Sequence, residues 1–311
     1  YLVNAPLIII LLESNILNRD VIGIDSSPLS NLLCKVKTTP HKPISENFLL
    51  ELKKELSPKN MIDYGMDEVD KKWYDQKTFN SLTIIKNKIS KLKNKDDRDY
   101  YLLALAAITR KVSRIDSRCI NHIVVDNNKN VCDIYLEFKD KIKEMSNSMD
   151  DFIKIATKSK VDFYSGDARN LNFIKDNSMD LIISHPPYLG YINYSNIFKL
   201  ANKIIGYDYE DVKTNDISTN SLTKYIEDMD KVFVEMFRVL KNQKYACVII
   251  GDNRVDGDLI PTFSYFINSA LKKGFKLKDI FIWVMSQKAG MSIKRRGNHV
   301  DHNYILIFQK D

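Results

Sequence analysis

The sequence predicts an α/β protein: a doubly wound, mostly parallel sheet with a late antiparallel strand and a mainly helical insertion. Three observations carry this. Short apolar strands alternate with amphipathic helices toward both ends of the chain, the pattern of a sheet covered by helices. Between residues 41 and 160 the alternation stops, and segments rich in Lys, Asn and Asp with helical periodicity replace it. Polar residues recur at strand ends: Asp25, Asp167, His185 and Asp252 each fall at or just after one, where the ligands of such sheets bind.

Taken in order, residues 8–18 read as an apolar helix and residues 21–25 as a short buried strand ending in a carboxylate. Ser27-Pro28 opens a helix running to about Val36, with Pro28 suited to its first turn. The regular pattern ends near Thr39-Pro40, so residues 1–40 form the first part of a core. Within the insertion, residues 100–108 are the most apolar helical stretch and anchor it. Residues 161–311 complete the core. Residues 161–164 are a strand, followed by Gly166-Asp167-Ala168-Arg169. Residues 179–183 read as a buried strand running into His185-Pro186-Pro187-Tyr188. A long amphipathic helix covers 222–240, a strand 245–250 and a helix 261–273 closed by Gly274. Residues 281–285 and 304–308 are late strands expected to pair antiparallel.

Composition bounds the rest. Of 311 residues, 44% are hydrophobic, enough to bury a core. The net charge of +7 permits a polyanionic partner without demanding one. Cys34, Cys119, Cys132 and Cys247 form no CxxC pair and read as reduced thiols, so the expected location is the cytoplasm. No apolar run approaches the roughly 18 residues of a membrane span. Tyr1 in place of Met implies a fragment or a processed chain.

The chemistry concentrates at Ser184-His185-Pro186-Pro187-Tyr188. Two prolines stiffen the backbone after an apolar strand and offer carbonyls without N–H groups. The following Tyr adds a flat face. A rigid acceptor site with a stacking plate suits an exocyclic amino group of a nucleobase, whose lone pair is delocalised into the ring. Hydrogen bonds to the Pro186 carbonyl and a neighbouring side chain favour a more pyramidal nitrogen able to attack an electrophilic methyl group. The base must first leave its stack or be single-stranded. A plain turn is the alternative for these residues.

Asp-Leu-Ile-Ile-Ser-His-Pro-Pro-Tyr resembles the catalytic motif of the S-adenosylmethionine-dependent DNA amino-methyltransferases of the adenine-N6 and cytosine-N4 type. Residues 21–40, Gly251-Asp252-Asn253-Arg254 and residues 304–308 resemble further core segments of that family. The resemblance implies a Rossmann-like class I methyltransferase fold and S-adenosylmethionine as cofactor. It implies His185, Pro186, Pro187 and Tyr188 as the catalytic set and Asp25, Asp167 and Ser184 as cofactor contacts, with Asp25 accepting from ribose hydroxyls and Asp167 from the adenine amino group. Either Asp can equally serve as a helix cap or turn residue. It also implies direct methyl transfer to DNA, no metal, and a setting such as restriction-modification. Methylation of guanine N2 in tRNA and an inactive nucleic-acid-binding remnant are the alternatives. Target base, recognition sequence and oligomeric state are not legible.

The sequence departs from the family twice. His185 stands where Asp, Asn or Ser is usual; a neutral imidazole still accepts through one nitrogen, but the choice between adenine and cytosine is blurred. Residues 2–10, at the place of the glycine-rich cofactor loop, contain no glycine, and Ile8, Ile9 and Ile10 crowd the space that glycines leave open. A truncated start, a damaged start and a lineage that lost cofactor binding each account for this.

Residues 71–118 hold thirteen Lys/Arg and five Asp/Glu. This local excess suggests a phosphate-facing surface, with Arg110, Lys111 and Arg114 as contacts; a solvated helix face is the alternative. Trp73 and Tyr74 are expected in the core rather than on bases. Tyr191, Asn193 and Tyr194 are expected in a loop over the target base, although the tyrosines can equally pack against the body. Asn298-His299-Val300-Asp301-His302 fits no standard metal spacing.

Overall fold

The computed structural model describes residues 6–116, 123–190, 194–214, 216–255, 258–284 and 302–311. The chain divides into two compact units, one of Tyr1–Ser165 with Ser195–Thr214, the other of Gly166–Tyr194 with Asn215–Asp311.

The first unit opens with α1 (Pro6–Ile16), β1 (Val21–Asp25) and α2 (Pro28–Thr38). α1 rests on β1 at Gly23, where a Cβ would meet the Leu7 and Leu11 side chains at 3.0 Å. α2 begins as its sequence dictates: Ser27 accepts from the Ser30 N–H, and Pro28 occupies the first turn. Next come α3 (Glu46–Glu55), a 3-10 turn (Pro58–Asn60), α4 (Glu68–Trp73), α5 (Gln76–Ser90), α6 (Lys95–Ile108) and α7 (Ile134–Ile155).

The Asp and Asn content of this stretch has a structural use. Asp67, Asp75, Asn94 and Asp133 are the side-chain N-caps of α4, α5, α6 and α7, each satisfying an amide that the helix leaves unpaired. α6 carries the apolar stretch expected to anchor the segment. Its Tyr100, Tyr101, Leu103, Ala104 and Leu105 are buried, and Tyr101 stacks on Phe48 of α3 at 4.2 Å between centroids. β2 (Val161–Ser165) then pairs parallel with β1, from Val21 opposite Val161 to Asp25 opposite Ser165. α8 (Tyr194–Ile197), α9 (Lys199–Ile205) and α10 (Tyr209–Thr214) follow.

The second unit contains β3 (Met179–Ser184), α11 (Leu222–Val239), β4 (Leu240–Ile250), the short pair β5 (Asn253–Val255) and β6 (Asp258–Ile260), α12 (Thr262–Lys272), β7 (Phe275–Val284) and β8 (His302–Lys310). Its sheet runs β3-β4-β8-β7. β3 and β4 are parallel, while β8 is antiparallel to both β4 and β7. The α/β class with late antiparallel pairing is thus present. The core here is built by Phe233 and Met236 of α11, Phe266 of α12, and Val248, Leu306 and Phe308 of the sheet.

Three elements differ from expectation. β3 is not buried on both faces: Ile182 packs on the core, but Leu181 and Ile183 are 56% and 41% exposed. It is an edge strand of its sheet, and alternate side chains of a strand point to opposite faces. β4 begins at Leu240, with Gln243 at φ 62° and a register shift opposite β3; this polar, irregular start hid it. β7 begins at Phe275, six residues before its apolar run, because Lys276 and Lys278 are tolerated on an edge.

β8 closes the unit through Lys310. Its Nζ donates to the carbonyls of Phe237 (2.6 Å) and Leu240 (2.8 Å) and to Asn177 Oδ1 (2.7 Å), capping the C-terminal carbonyls of α11 from inside the fold. Among the described residues no helix is long and apolar enough to cross a membrane.

Candidate active site

The loop Ser184-His185-Pro186-Pro187-Tyr188 leaves the carboxyl end of β3, where Ser184 pairs in register with Val248 of β4. The prolines limit the backbone to few conformations, and the surroundings select one. The Tyr225 hydroxyl of α11 donates to the Pro187 carbonyl at 2.6 Å. Asn253 Nδ2 donates to the Leu189 carbonyl at 2.9 Å. The Gly190 N–H donates to the Thr219 carbonyl at 3.0 Å, with φ of 64° at that glycine. Pro186 is buried, and among the described residues nothing donates to its carbonyl.

Tyr188, expected to offer an open face, is 2% exposed and packs in the core of the second unit. Its hydroxyl donates to Asn303 Oδ1 of β8 at 2.8 Å and lies 3.2 Å from His185 Nε2. A phenol has one proton. Which ring nitrogen of the neutral imidazole is left as the acceptor is set by its tautomer. The two rings meet edge to face, with centroids 5.3 Å apart. Burial lowers the His185 pKa, only partly opposed by a hydrogen bond to its own backbone, so the imidazole is neutral at neutral pH.

The two candidate cofactor carboxylates lie in different units. Asp25 ends β1 in the first. Its Oδ1 accepts from the Ser27 N–H at 2.8 Å, and its carbonyl accepts from Asn31 Nδ2 at 3.1 Å. Asp25 thus holds the turn that leads into α2. Asp167 begins the second unit. Arg169 grips it through Nε at 2.9 Å to both oxygens and Nη2 at 2.7 Å to Oδ2, and reaches Asp228 through Nη1 at 3.1 Å. Burial alone would raise the Asp167 pKa, but the Arg169 hydrogen bonds prevail and lower it. Asp167 is thus an ionised acceptor. Asp252, after β4, is shifted the other way: burial raises its pKa against hydrogen bonds from the Phe263 amide and other donors.

Of the basic residues singled out, Lys111 is paired with Glu137 at 2.5 Å. The Arg110 carbonyl accepts from Lys129 Nζ at 3.0 Å. Arg114 donates its backbone N–H to the Trp73 carbonyl at 2.8 Å and an Nη1 hydrogen to the Lys71 carbonyl at 3.4 Å. Trp73 and Tyr74 are buried in the core of the first unit, as expected. Tyr194 opens α8 and is half-buried, whereas Tyr191 and Asn193 lie outside the described residues, as do residues 298–301 of the His-rich cluster. His302 Nε2 meets the Tyr304 hydroxyl at 2.9 Å, and among the described residues no group of three or more potential metal ligands occurs.

Tyr225 and Asn303 escaped the sequence reading. Each is a polar group among apolar neighbours of an amphipathic helix or a core strand. Such a group needs a partner when buried, but the pattern does not name the partner.

Residues 179–311 match the family model described as DNA methylase, of the N6/N4 methyltransferase type. The chain is 28% identical over 177 residues to the type II methyltransferase M.MjaI of Methanocaldococcus jannaschii, an alignment covering 51% of this chain and 57% of that protein. The putative DNA modification methylase TTHA0409 of Thermus thermophilus, solved with S-adenosyl-L-methionine, shares 23% identity over 47% of this chain and 51% of that one, with a TM-score of 0.30. The cytosine-N4-specific PvuII DNA methyltransferase shares 19% over 47% and 48%, with a TM-score of 0.33. The chain thus spans 57% of the length of its curated relative. Residues 179–311 are thus similar to the N6/N4 DNA methylases, and the chain resembles a type II methyltransferase over about half its length.

Proposed function

We propose that the protein transfers a methyl group from S-adenosylmethionine to an exocyclic amino group of a DNA base, adenine N6 or cytosine N4. The observation that carries this is the carbonyl of Pro186, which no described donor meets, beside a His185 imidazole held neutral by burial. A neutral amino group has two N–H donors, and these are two acceptors. The base amino group would donate one hydrogen to the Pro186 carbonyl and the other to the unprotonated ring nitrogen of His185. This pulls its lone pair out of conjugation and aims it at the methyl group. As the nitrogen gains positive character, that ring nitrogen would take its proton. Tyr225 on the Pro187 carbonyl and Tyr188 on Nε2 keep both acceptors in place. Tyr188 acts here through its hydroxyl; stacking on a base requires its ring to be uncovered.

Each carboxylate, taken in its own unit, offers acceptors of the kind the cofactor's hydroxyl and amino groups need. Asp25 would receive ribose hydroxyl hydrogens and the ionised Asp167 the adenine amino group, with Ser184 contributing at the end of β3. When bound, S-adenosylmethionine supplies an electrophilic methyl group. Residues 6–10, placed by resemblance at the glycine-rich loop, are the first turn of α1, so the cofactor contacts rest on the carboxylates rather than on that loop.

DNA would meet the largely helical segment 41–160, with Arg110, Lys111 and Arg114 on phosphates, although Lys111 must first leave Glu137. Tyr191, Asn193 and Tyr194 would stand over the target base. The likeness to M.MjaI supports a modification role within a type II restriction system, and a host-DNA substrate supports action in the cytoplasm. Methylation-sensitive sequencing of DNA from an expressing host tests the reading: methylated adenine or cytosine within a fixed short sequence is expected, and unmodified DNA alongside methylated tRNA contradicts it.

A further inference from the structure

Trp73 ends α4 and is 2% exposed. Two ammonium groups lie over its ring, Lys199 Nζ at 4.5 Å and Lys72 Nζ at 5.1 Å from the centroid. They come from segments far apart in sequence. Among the described residues neither is paired with a carboxylate, whereas several other lysines of this unit are. Lys71 pairs with Glu68, Lys88 with Glu51 and Glu55, and Lys203 with Asp67 and Asp70.

The Lys203 pairing explains the placement. Lys203 lies one turn beyond Lys199 on α9, and its two carboxylates belong to the N-cap and first turn of α4. Docking α9 on α4 through Lys203 carries Lys199 onto Trp73. Arg114 joins them, since its backbone N–H donates to the Trp73 carbonyl and its guanidinium reaches the Lys71 carbonyl. The cost is visible at Lys199, whose pKa is lowered first by burial and then by repulsion from Lys72. An anion placed between these cations removes that repulsion. The aromatic face holds both ammonium groups without neutralising them.

We propose that Lys72, Lys199 and Arg114 form a phosphodiester-binding patch around Trp73 that grips the backbone of the nucleic-acid substrate. This rests on the DNA-methylating reading above. The patch reads no bases; it sets position on the strand. Lys199 lies eleven residues beyond Tyr188 in the sequence, so the segment that carries the reaction loop also carries a backbone contact.

The test is binding of a fluorescent duplex to the full chain across a salt titration. Each lysine–phosphate contact adds about 0.9 to the slope of log K against log salt. Lys72→Gln with Lys199→Gln should flatten the slope by about 1.8, and Lys72→Arg with Lys199→Arg should keep it. Lys154→Gln, which loses the same charge from a lysine paired with Asp151, should leave it unchanged. An unchanged slope in the double Gln variant, melting like the parent, overturns the patch. Should that variant unfold, Lys72→Gln alone decides, because Lys72 is exposed: flattening by about 0.9 supports the patch and no change overturns it. Equal flattening by Lys154→Gln also overturns it. A parent chain that binds no DNA sinks the DNA reading itself, whereas binding with an unaltered slope sinks only the patch.

Discussion

The Tyr188 hydroxyl donates to Asn303 Oδ1 at 2.8 Å, with both side chains 2% exposed. This joins β8 to the Pro-Pro-Tyr loop in the interior of one unit. Asn303→Ala leaves a buried hydroxyl without its acceptor, at a cost of about 1–3 kcal/mol. Adding Tyr188→Phe to that variant should recover part of the loss, because the stranded hydroxyl is then gone. Urea unfolding of the two single variants and the double measures it: a coupling of about 0.5–3 kcal/mol is expected, and strict additivity contradicts the bond.

His185 should set the acid limit of the reaction. Burial lowers its pKa, so the imidazole stays neutral through its ordinary titration range and loses its acceptor nitrogen only below that. The unfolded chain binds this proton more readily, so the His185 contribution to stability is present above about pH 6.5 and lost as pH falls through the lowered folded value. A pH profile of methyl transfer should stay flat through about 6.5 and fall only at lower pH, and His185→Asn, which keeps an acceptor, should remove that fall. The same fall in His185→Asn contradicts the assignment.

Asp25 and Asp167 should act on cofactor affinity rather than on the fold of the sheets. Losing a hydrogen bond to a charged acceptor costs about 1.5–3 kcal/mol, or roughly ten- to a hundredfold in Kd. Calorimetry with S-adenosylmethionine should show this for Asp25→Asn and Asp167→Asn. Unchanged affinity in both would remove the carboxylates from the cofactor site.

Lys310 should matter for stability alone. Lys310→Met leaves the Phe237 and Leu240 carbonyls and Asn177 Oδ1 without their shared donor, at an expected cost of about 2–4 kcal/mol. Thermal or urea unfolding checks it. A loss below about 0.5 kcal/mol, as for an ordinary surface change, contradicts the buried role.

How much of this was legible follows from which signals are local. β1 is found where its apolar run and closing Asp25 place it, and α2 starts on its Ser-Pro cap, because short-range pattern and capping chemistry decide both. The start of β7 was hidden because an edge strand accepts lysines that periodicity reads as loop. The reaction loop was legible as a motif, but what holds it was not. Tyr225 lies 38 residues and Asn303 115 residues from the atoms they bond, and a sequence pattern carries no record of such partners. The Trp73 cation pair has the same character: the Lys-rich segment was visible, but Lys199 lies outside it. Charge counting also could not tell Lys72, with no carboxylate among the described residues, from Lys111, committed to Glu137.

Methyl transfer to an exocyclic amino group at the Pro186–His185 site is the proposed reaction. Its most direct measurement is incubation of the full chain with duplex DNA and methyl-labelled S-adenosylmethionine, followed by nucleoside analysis. Label is expected in N6-methyladenine or N4-methylcytosine, abolished by Tyr225→Phe with His185→Ala in a variant that still binds DNA. Label at cytosine C5 or in tRNA guanine, or no label from a folded chain that binds the cofactor, would contradict it.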